Sequence, residues 1–178
     1  MALKATIYKA AINLANMDDH VYLDQTLTLA QHPSETQQRM MLRVLAWVMY
    51  ANEHLQFTKG LSEESEPALW QKSFADEIEV WIDLGLPDEK RMKRAAQKAQ
   101  QAVLFAYDDN AFGPWWQQHQ PKVYSFTNLA IYRVSDEIMD ALLQCCERTM
   151  QLQFTIQDGQ IWLNSGDLSL EVTPEKLQ

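Results

Sequence analysis

Glycine is scarce: the 178 residues contain five. No GxGxxG, Walker-type or GxSxG string occurs, which excludes the glycine-rich phosphate cradles and the nucleophile elbow of several large enzyme classes. Cysteine is scarcer still, with Cys145 and Cys146 side by side. Neighbours on a helix point to different faces and rarely bond each other, so a disulfide scaffold is excluded. The pair also lacks metal-ligand spacing and a nearby His. His20, His32, His54 and His119 stand far apart with no i,i+4 pair, which argues against a zinc centre. No run approaches the 18 or so apolar residues that a membrane span requires. The opening, Met1 to Leu14, mixes Lys4, Thr6, Lys9 and Asn13 into its apolar residues and does not read as a secretion signal. There are no internal repeats and no low-complexity segments. The expectation is one soluble, cytoplasmic domain over residues 1–178, with no membrane association.

Positive charge is also in deficit: 15 Lys and Arg stand against 24 Asp and Glu, a formal charge of −9. A general nucleic-acid coat protein gains affinity by releasing counterions from phosphates and carries a basic surface, so that class is disfavoured. The charges are unevenly placed, however. From Ser62 to Glu89 nine acids face Lys72 alone, whereas Lys90 to Lys98 carries Lys90, Arg91, Lys93, Arg94 and Lys98 without an acid. A local basic patch beside an acidic segment is therefore compatible with the net charge.

Periodicity supplies the elements. Alternation around Ile7, Tyr8, Ile12 and Leu14, a polar turn at Asn16–Asp19 and a second β-type run over Val21–Leu29 predict a hairpin. Ser34 as N-cap, with Gln37 closing a capping box and Glu35 at the positive helix end, predicts a helix running to about Asn52. A short strand is expected over Leu55–Leu61, then an acidic loop over 62–67. The cleanest interior strand is Ile78–Gly85, followed at Pro87 by a basic helix over 88–101. Val103–Tyr107 reads as a strand, Asp108–Asn110 as a turn, Gly113–Trp116 as a short helix or loop, and Val123–Val134 as a strand before a helix capped by Ser135. The end reads as a meander over Met150–Ile156, Ile161–Leu163 and Leu168–Val172. The class is α/β or α+β, with a central mixed sheet flanked by helices and antiparallel hairpins at both ends.

Two elements carry candidate chemistry. On the helix after Glu35, residues Met40, Met41, Leu42, Val44, Leu45, Trp47, Val48 and Met49 cover most of the circumference, leaving a polar stripe of Glu35, Arg39, Arg43, Tyr50 and Glu53. A helix apolar nearly all round is buried, and charges kept on it must be paired. The stripe is either an i,i+4 ladder facing solvent or one wall of a site. On the strand 78–85, Ile78, Val80, Ile82 and Leu84 share one face and Glu79, Trp81, Asp83 and Gly85 the other. A carboxylate there is costly unless paired or metal-bound. Asp83 beside a Lys/Arg helix suits Mg²⁺ with phosphate, or else an ion pair with Lys90, Arg91 or Arg94. The Pro87-Asp88-Glu89-Lys90 string imitates a nuclease signature but starts a single helix, whereas such a site needs acids from separate strands.

The strings Met1-Ala2-Leu3-Lys4-Ala5-Thr6-Ile7-Tyr8-Lys9, His32-Pro33-Ser34-Glu35-Thr36 through Arg39-Met40-Met41-Leu42-Arg43, Phe57-Thr58-Lys59-Gly60-Leu61, Glu66-Pro67 with Trp70, Trp81-Ile82-Asp83-Leu84-Gly85-Leu86-Pro87-Asp88-Glu89, and Thr155-Ile156-Gln157-Asp158-Gly159 with Ile161-Trp162-Leu163 resemble the bacterial YaeQ family over nearly the whole chain. The resemblance implies a restriction-endonuclease-like core of the PD-(D/E)XK nuclease superfamily, with an altered site. It implies a divalent ion, Mg²⁺ or Mn²⁺, held by Glu35 (or Glu53), Glu66 and Asp83, and catalysis by Asp83 and Glu66. Where that superfamily has a Lys two residues after the second strand acid, this chain has Gly85; Lys90 or Arg94 from the following helix is the replacement the resemblance leaves. DNA or RNA would then lie along Arg39, Arg43, Lys90, Arg91, Lys93 and Arg94. Two functions follow: a metal-dependent phosphodiesterase, or a non-catalytic protein on the same fold that binds nucleic acid or a protein partner in transcription or repair.

Overall fold

The computed structural model describes residues 4–178; the first three residues of the opening string, Met1 to Leu3, lie outside the described part. In chain order the elements are β1 (Thr6–Asn16), β2 (Val21–Gln31), α1 (Gln37–Met49), β3 (Leu55–Phe57), β4 (Leu69–Lys72), β5 (Ile78–Leu84) and α2 (Glu89–Lys98). They continue with β6 (Ala99–Ala106), α3 (Asp109–Val123), β7 (Leu129–Arg133), α4 (Asp136–Gln144), β8 (Thr149–Gln157), β9 (Gln160–Ser165), β10 (Leu168–Glu171) and β11 (Glu175–Lys176). The class is α+β with two mixed sheets. No helix among the described residues is long and apolar enough to cross a membrane. The chain divides into two compact units, Met1–Ala51 with Glu137–Thr173, and Asn52–Asp136 with Pro174–Gln178.

The first unit is built on a five-stranded sheet in the order β10-β9-β8-β1-β2. The β1–β2 hairpin is antiparallel from Thr6 opposite Gln31 to Asn16 opposite Val21, and β8 lies parallel to β1. Strict alternation gives the sheet two unlike faces. Tyr8, Ala10, Ile12 and Leu14 of β1 and Met150, Leu152, Phe154 and Ile156 of β8 are buried, and the residues between them are polar or small. In α1, nine consecutive residues from Met40 to Val48 are buried, as an all-round apolar helix requires.

Its N-cap is Thr36, whose hydroxyl accepts a hydrogen bond from Arg39 N at 3.1 Å. Ser34 instead directs its hydroxyl to the His32 ring, and Gln37 reaches the Tyr8 hydroxyl, so the expected capping box does not form. Glu35 consequently precedes the helix and points inward. Thr36→Ala is expected to cost about 1 kcal/mol, the usual value of such a cap, measured by urea unfolding.

The second unit carries a six-stranded sheet in the order β11-β7-β6-β5-β4-β3. The pairs β3–β4 and β4–β5 are antiparallel, β5–β6 and β6–β7 parallel, with α2 and α3 as the crossovers. The central strands are covered on both faces, which explains the unbroken apolar run Ala102–Ala106. Trp81, Leu104 and Ile131 belong to one cluster with Met92 and Ala95 of α2 and Phe112, Trp115 and Val123 of α3.

α3 is a fifteen-residue helix where the sequence suggests a turn and a fragment. Pro114 and Pro121 lie inside it, each expected to cost about 3 kcal/mol in a helix interior. The helix persists because Phe112, Trp115 and Val123 are buried, at about 1.5–3 kcal/mol for each large apolar side chain, and because Trp115 Nε1 donates to Pro87 O at 2.8 Å. The strand expected from Val123 begins only at Leu129, and β4 pairs with β5 beyond the acidic loop.

Candidate functional site

Asp83 sits near the end of β5, on the face that α2 covers. Alternation along the strand puts it beside Trp81, both buried, while Ile82 points the other way. After the strand, Gly85 adopts φ 112°, a conformation that favours glycine, and its N–H donates to Phe105 O at 2.9 Å. This bend turns the chain into α2, whose N-cap Asp88 accepts from Arg91 N at 2.8 Å. The cap and the bend set Arg91 directly over Asp83.

The contact between them is bidentate. Arg91 Nε donates to Asp83 Oδ2 at 3.1 Å and Nη2 to Oδ1 at 2.8 Å, and Trp81 Nε1 also donates to Oδ2 at 2.9 Å. The same guanidinium donates to the carbonyls of Glu64 at 2.7 Å and Glu66 at 3.0 Å. Planar five-donor geometry is what allows one side chain to fasten a strand, a loop and a helix together. Of the three cations that could pair with Asp83, the structure selects Arg91.

Glu66 contributes its carbonyl to that network, while its carboxylate accepts from Lys59 N at 3.0 Å. The Thr58 hydroxyl donates to Pro67 O, which holds the loop against the end of β3. Glu53 is 89% exposed at its side chain. Glu35 belongs to the first unit and has its own partners. Arg43 donates to both its oxygens, from Nη2 at 2.6 Å and Nε at 3.0 Å, and Arg39 Nη1 lies 2.5 Å from Oε2. Arg43 Nη2 also reaches Ala30 O at 3.1 Å. The polar stripe of α1 is thus a buried ion cluster rather than a solvent-facing ladder; Glu35 and Arg43 are each 6% exposed.

Among the described residues no group of three or more His, Cys, Asp and Glu side chains is placed to hold a metal ion. Both oxygens of Asp83 are taken by cationic or indole donors, a donor set that suits a carboxylate satisfied by protein rather than one awaiting a divalent ion. Cys145 and Cys146 are no better candidates for chemistry. Burial pushes both thiols up, for Cys145 against an opposing hydrogen bond with Ser165, and neighbouring Glu147 raises both further. Because the thiolate is the nucleophile, both are expected to react with a disulfide reagent at neutral pH more slowly than free cysteine in a colorimetric thiol assay.

The remaining basic residues behave differently. Lys90, Lys93, Arg94 and Lys98 are all exposed on α2 and make no ion pair among the described residues, whereas Met92 and Ala95 on the opposite side are buried. Glu89, the one acid inside α2, is engaged by Lys122 at 2.8 Å. Positions 90, 94 and 98 follow the i,i+4 ridge, flanked by 93 and 97, so the four cations form one stripe about 12 Å long at 1.5 Å per residue. Sequence reasoning named all four as a basic run but expected only three of them along nucleic acid; Lys98 follows from extending the same spacing one turn. Trp81, by contrast, was legible only as a neighbour of Asp83, not as its hydrogen-bond donor.

The YaeQ protein family matches residues 1–174 of this chain. The "Uncharacterized protein YaeQ" of Salmonella typhi is 54% identical over 172 residues, covering 97% of this chain and 95% of that protein. Its counterpart in Escherichia coli (strain K12) is 52% identical with the same coverage. Among solved structures, the YaeQ protein from Xanthomonas axonopodis pv. citri matches with a TM-score of 0.94 at 36% identity, over 98% of both chains. The YaeQ protein from Pseudomonas syringae matches at 0.93 and 32% identity, over 98% of this chain and 96% of that one. Sequence identity and fold agree along almost the full length, and the chain belongs to the YaeQ family.

Proposed function

We propose that the protein is a non-catalytic nucleic-acid-binding protein of the cytoplasm, built on a nuclease-like fold, that contacts phosphates through α2. The observation that carries this reading is the stripe of Lys90, Lys93, Arg94 and Lys98, exposed and without an ion pair among the described residues, on a chain of net charge −9. Like charges at i,i+4 destabilise a helix by about 0.2–0.5 kcal/mol per pair. A stripe that carries this repulsion without an internal partner suits an external polyanion. The mixed sheet, with β5 feeding through a bend into α2, is compatible with the PD-(D/E)XK kinship that the sequence resemblance implies. Gly85 in place of the motif lysine, and Arg91 closed over Asp83, favour binding over cleavage.

The test is fluorescence anisotropy with labelled single- and double-stranded DNA and RNA across a salt series. Four phosphate contacts give a log–log salt slope of about −3 to −4, at roughly −0.7 to −0.9 per contact. Replacing Lys93→Glu with Arg94→Glu is expected to flatten that slope by about 2. Salt-independent binding, or binding indifferent to these substitutions, would overturn the assignment. Cleavage that requires Mg²⁺ or Mn²⁺ and disappears in Asp83→Asn would replace it with the phosphodiesterase reading.

A further inference from the structure

The outer face of the first unit's sheet has no role in the reading above, and its composition is unusual. Register across the strands aligns Tyr22, Ala15, Thr155, Trp162 and Glu171 in one lateral row. The adjoining row is Asp24, Asn13, Gln153, Asn164 and Ser169. Large aromatic rings are thus exposed at both sides of the first row, Tyr22 at 61% and Trp162 at 38%, with the small residues Ala15 and Thr155 between them. Three strand spacings separate the rings, about 14 Å at 4.7–4.9 Å per strand.

The second row borders an open depression of ≈ 650 Å³, lined by Asn13, Asp24, Thr26, Gln151, Gln153 and Asn164 among others. Asn13 Nδ2 donates to Asp24 Oδ1 at 2.6 Å. Gln151, Gln153 and Asn164 make no side-chain hydrogen bond among the described residues, so three carboxamides are open for an external partner. The volume lies within the usual range for a small-molecule site.

We infer that this face binds a neutral, polyhydroxylated ligand, a short oligosaccharide, through the paired aromatic rings and the carboxamide row. Two features favour that chemistry. Carboxamides offer a donor and an acceptor side by side, matching hydroxyl groups that both give and accept hydrogen bonds. The exposed Tyr and Trp rings present flat apolar surfaces suited to the C–H faces of sugar rings. Charge decides against the competing occupant. A single strand of nucleic acid also stacks on aromatics, but it needs a positively charged groove for its backbone. The two rows carry Asp24 and Glu171 and no cation, the next is Thr26, Ala11 and Gln151, and Lys9, in the row beyond that, is bonded to Thr28 Oγ1 at 2.6 Å.

The experiment is a binding screen of the full chain on an array of neutral oligosaccharides (glucans, mannans, galactans and chitooligosaccharides), followed by calorimetry with the best-bound sugar. Both Trp162→Ala and Gln153→Ala are expected to weaken binding about tenfold, as loss of one aromatic contact or one hydrogen-bonding group does. Lys93→Glu with Arg94→Glu is expected to leave it unchanged, which separates this site from α2. Trp162 and Gln153 lie on the outer face, so circular dichroism of the variants should match the parent. Capture of no sugar, or sugar binding unaffected by both variants, overturns the inference. So does an oligo(dT) or oligo(U) strand whose binding Trp162→Ala abolishes.

Discussion

Replacing Glu35 with alanine is expected to lower stability by about 3–5 kcal/mol, the range for removing one partner of a buried ion pair. The carboxylate, 2% exposed at its side chain, pairs with both Arg39 and Arg43, whose side chains are 13% and 7% exposed. Without it, two largely buried guanidinium groups lose the carboxylate they share, and taking a partner from a buried charge is costly. For a chain of this length the midpoint of thermal unfolding should fall by roughly 10 °C, at about 2–4 °C per kcal/mol. Glu35→Gln keeps an acceptor and should fall between alanine and the parent. Joint replacement of Glu35, Arg39 and Arg43 by Leu, Leu and Met should recover much of the loss, because the pair is valuable chiefly once its partners are already buried. A Glu35→Ala protein as stable as the parent would contradict the burial and pairing described here.

The second large effect is expected at Arg91. Arg91→Ala removes the cation facing Asp83 and releases the carbonyls of Glu64 and Glu66 in one step. Arg91 is 29% exposed at its side chain, so solvent compensates part of the loss and about 3 kcal/mol is expected, the low end for a buried pair. Asp83 would keep the Trp81 indole as its donor among the described residues. The acidic loop should show faster amide exchange as well, a local consequence that a simple core defect would not produce. A double-mutant cycle with Asp83→Ala should give a coupling of about 1–3 kcal/mol. By contrast, Lys93→Glu with Arg94→Glu should shift stability by no more than about 0.5 kcal/mol, because those side chains are exposed. The two classes of basic residue on α2 are therefore separable: Arg91 by stability, its neighbours by binding.

Much of this arrangement could be read from residue patterns, and the failures have physical causes. Period-two alternation located β1, β2, β8 and β9, because each has one face buried, and β5, whose apolar residues alternate with Glu79, Trp81 and Asp83 although both of its faces are covered. The all-round apolar character of α1 gave its burial and the necessity of pairing its charges. Its start was misplaced by two residues since Ser34 and Thr36 are equally good caps on composition; the His32 ring, which takes the Ser34 hydroxyl, decides between them. α3 escaped because Gly113, Pro114 and Pro121 are local helix breakers, outweighed by tertiary burial of Phe112, Trp115 and Val123. At the site, an Asp on the covered face of β5 and a cationic helix after it were both legible. Which cation meets Asp83 was not, because that depends on the bend at Gly85 and the cap at Asp88, and these fix the helix rotation. The lateral rows of the first sheet were hidden for a similar reason: alternation gives the face, but only register gives the neighbours.

The central claim is that Asp83 is satisfied by Arg91 and Trp81 rather than by a divalent ion. The indole N–H of Trp81 lies 2.9 Å from Asp83 Oδ2, so it is a resident reporter for any paramagnetic ion bound there. Titration of ¹⁵N-labelled protein with Mn²⁺, with the indole signal assigned by Trp81→Phe, reads this contact directly. The expected result is that the Trp81 indole resonance broadens no more than those of the other tryptophans, with nucleic-acid binding unchanged by EDTA. Selective loss of that resonance at low Mn²⁺, abolished by Asp83→Asn, would mean that the carboxylate opens to a metal and that the closed pair is not its working state.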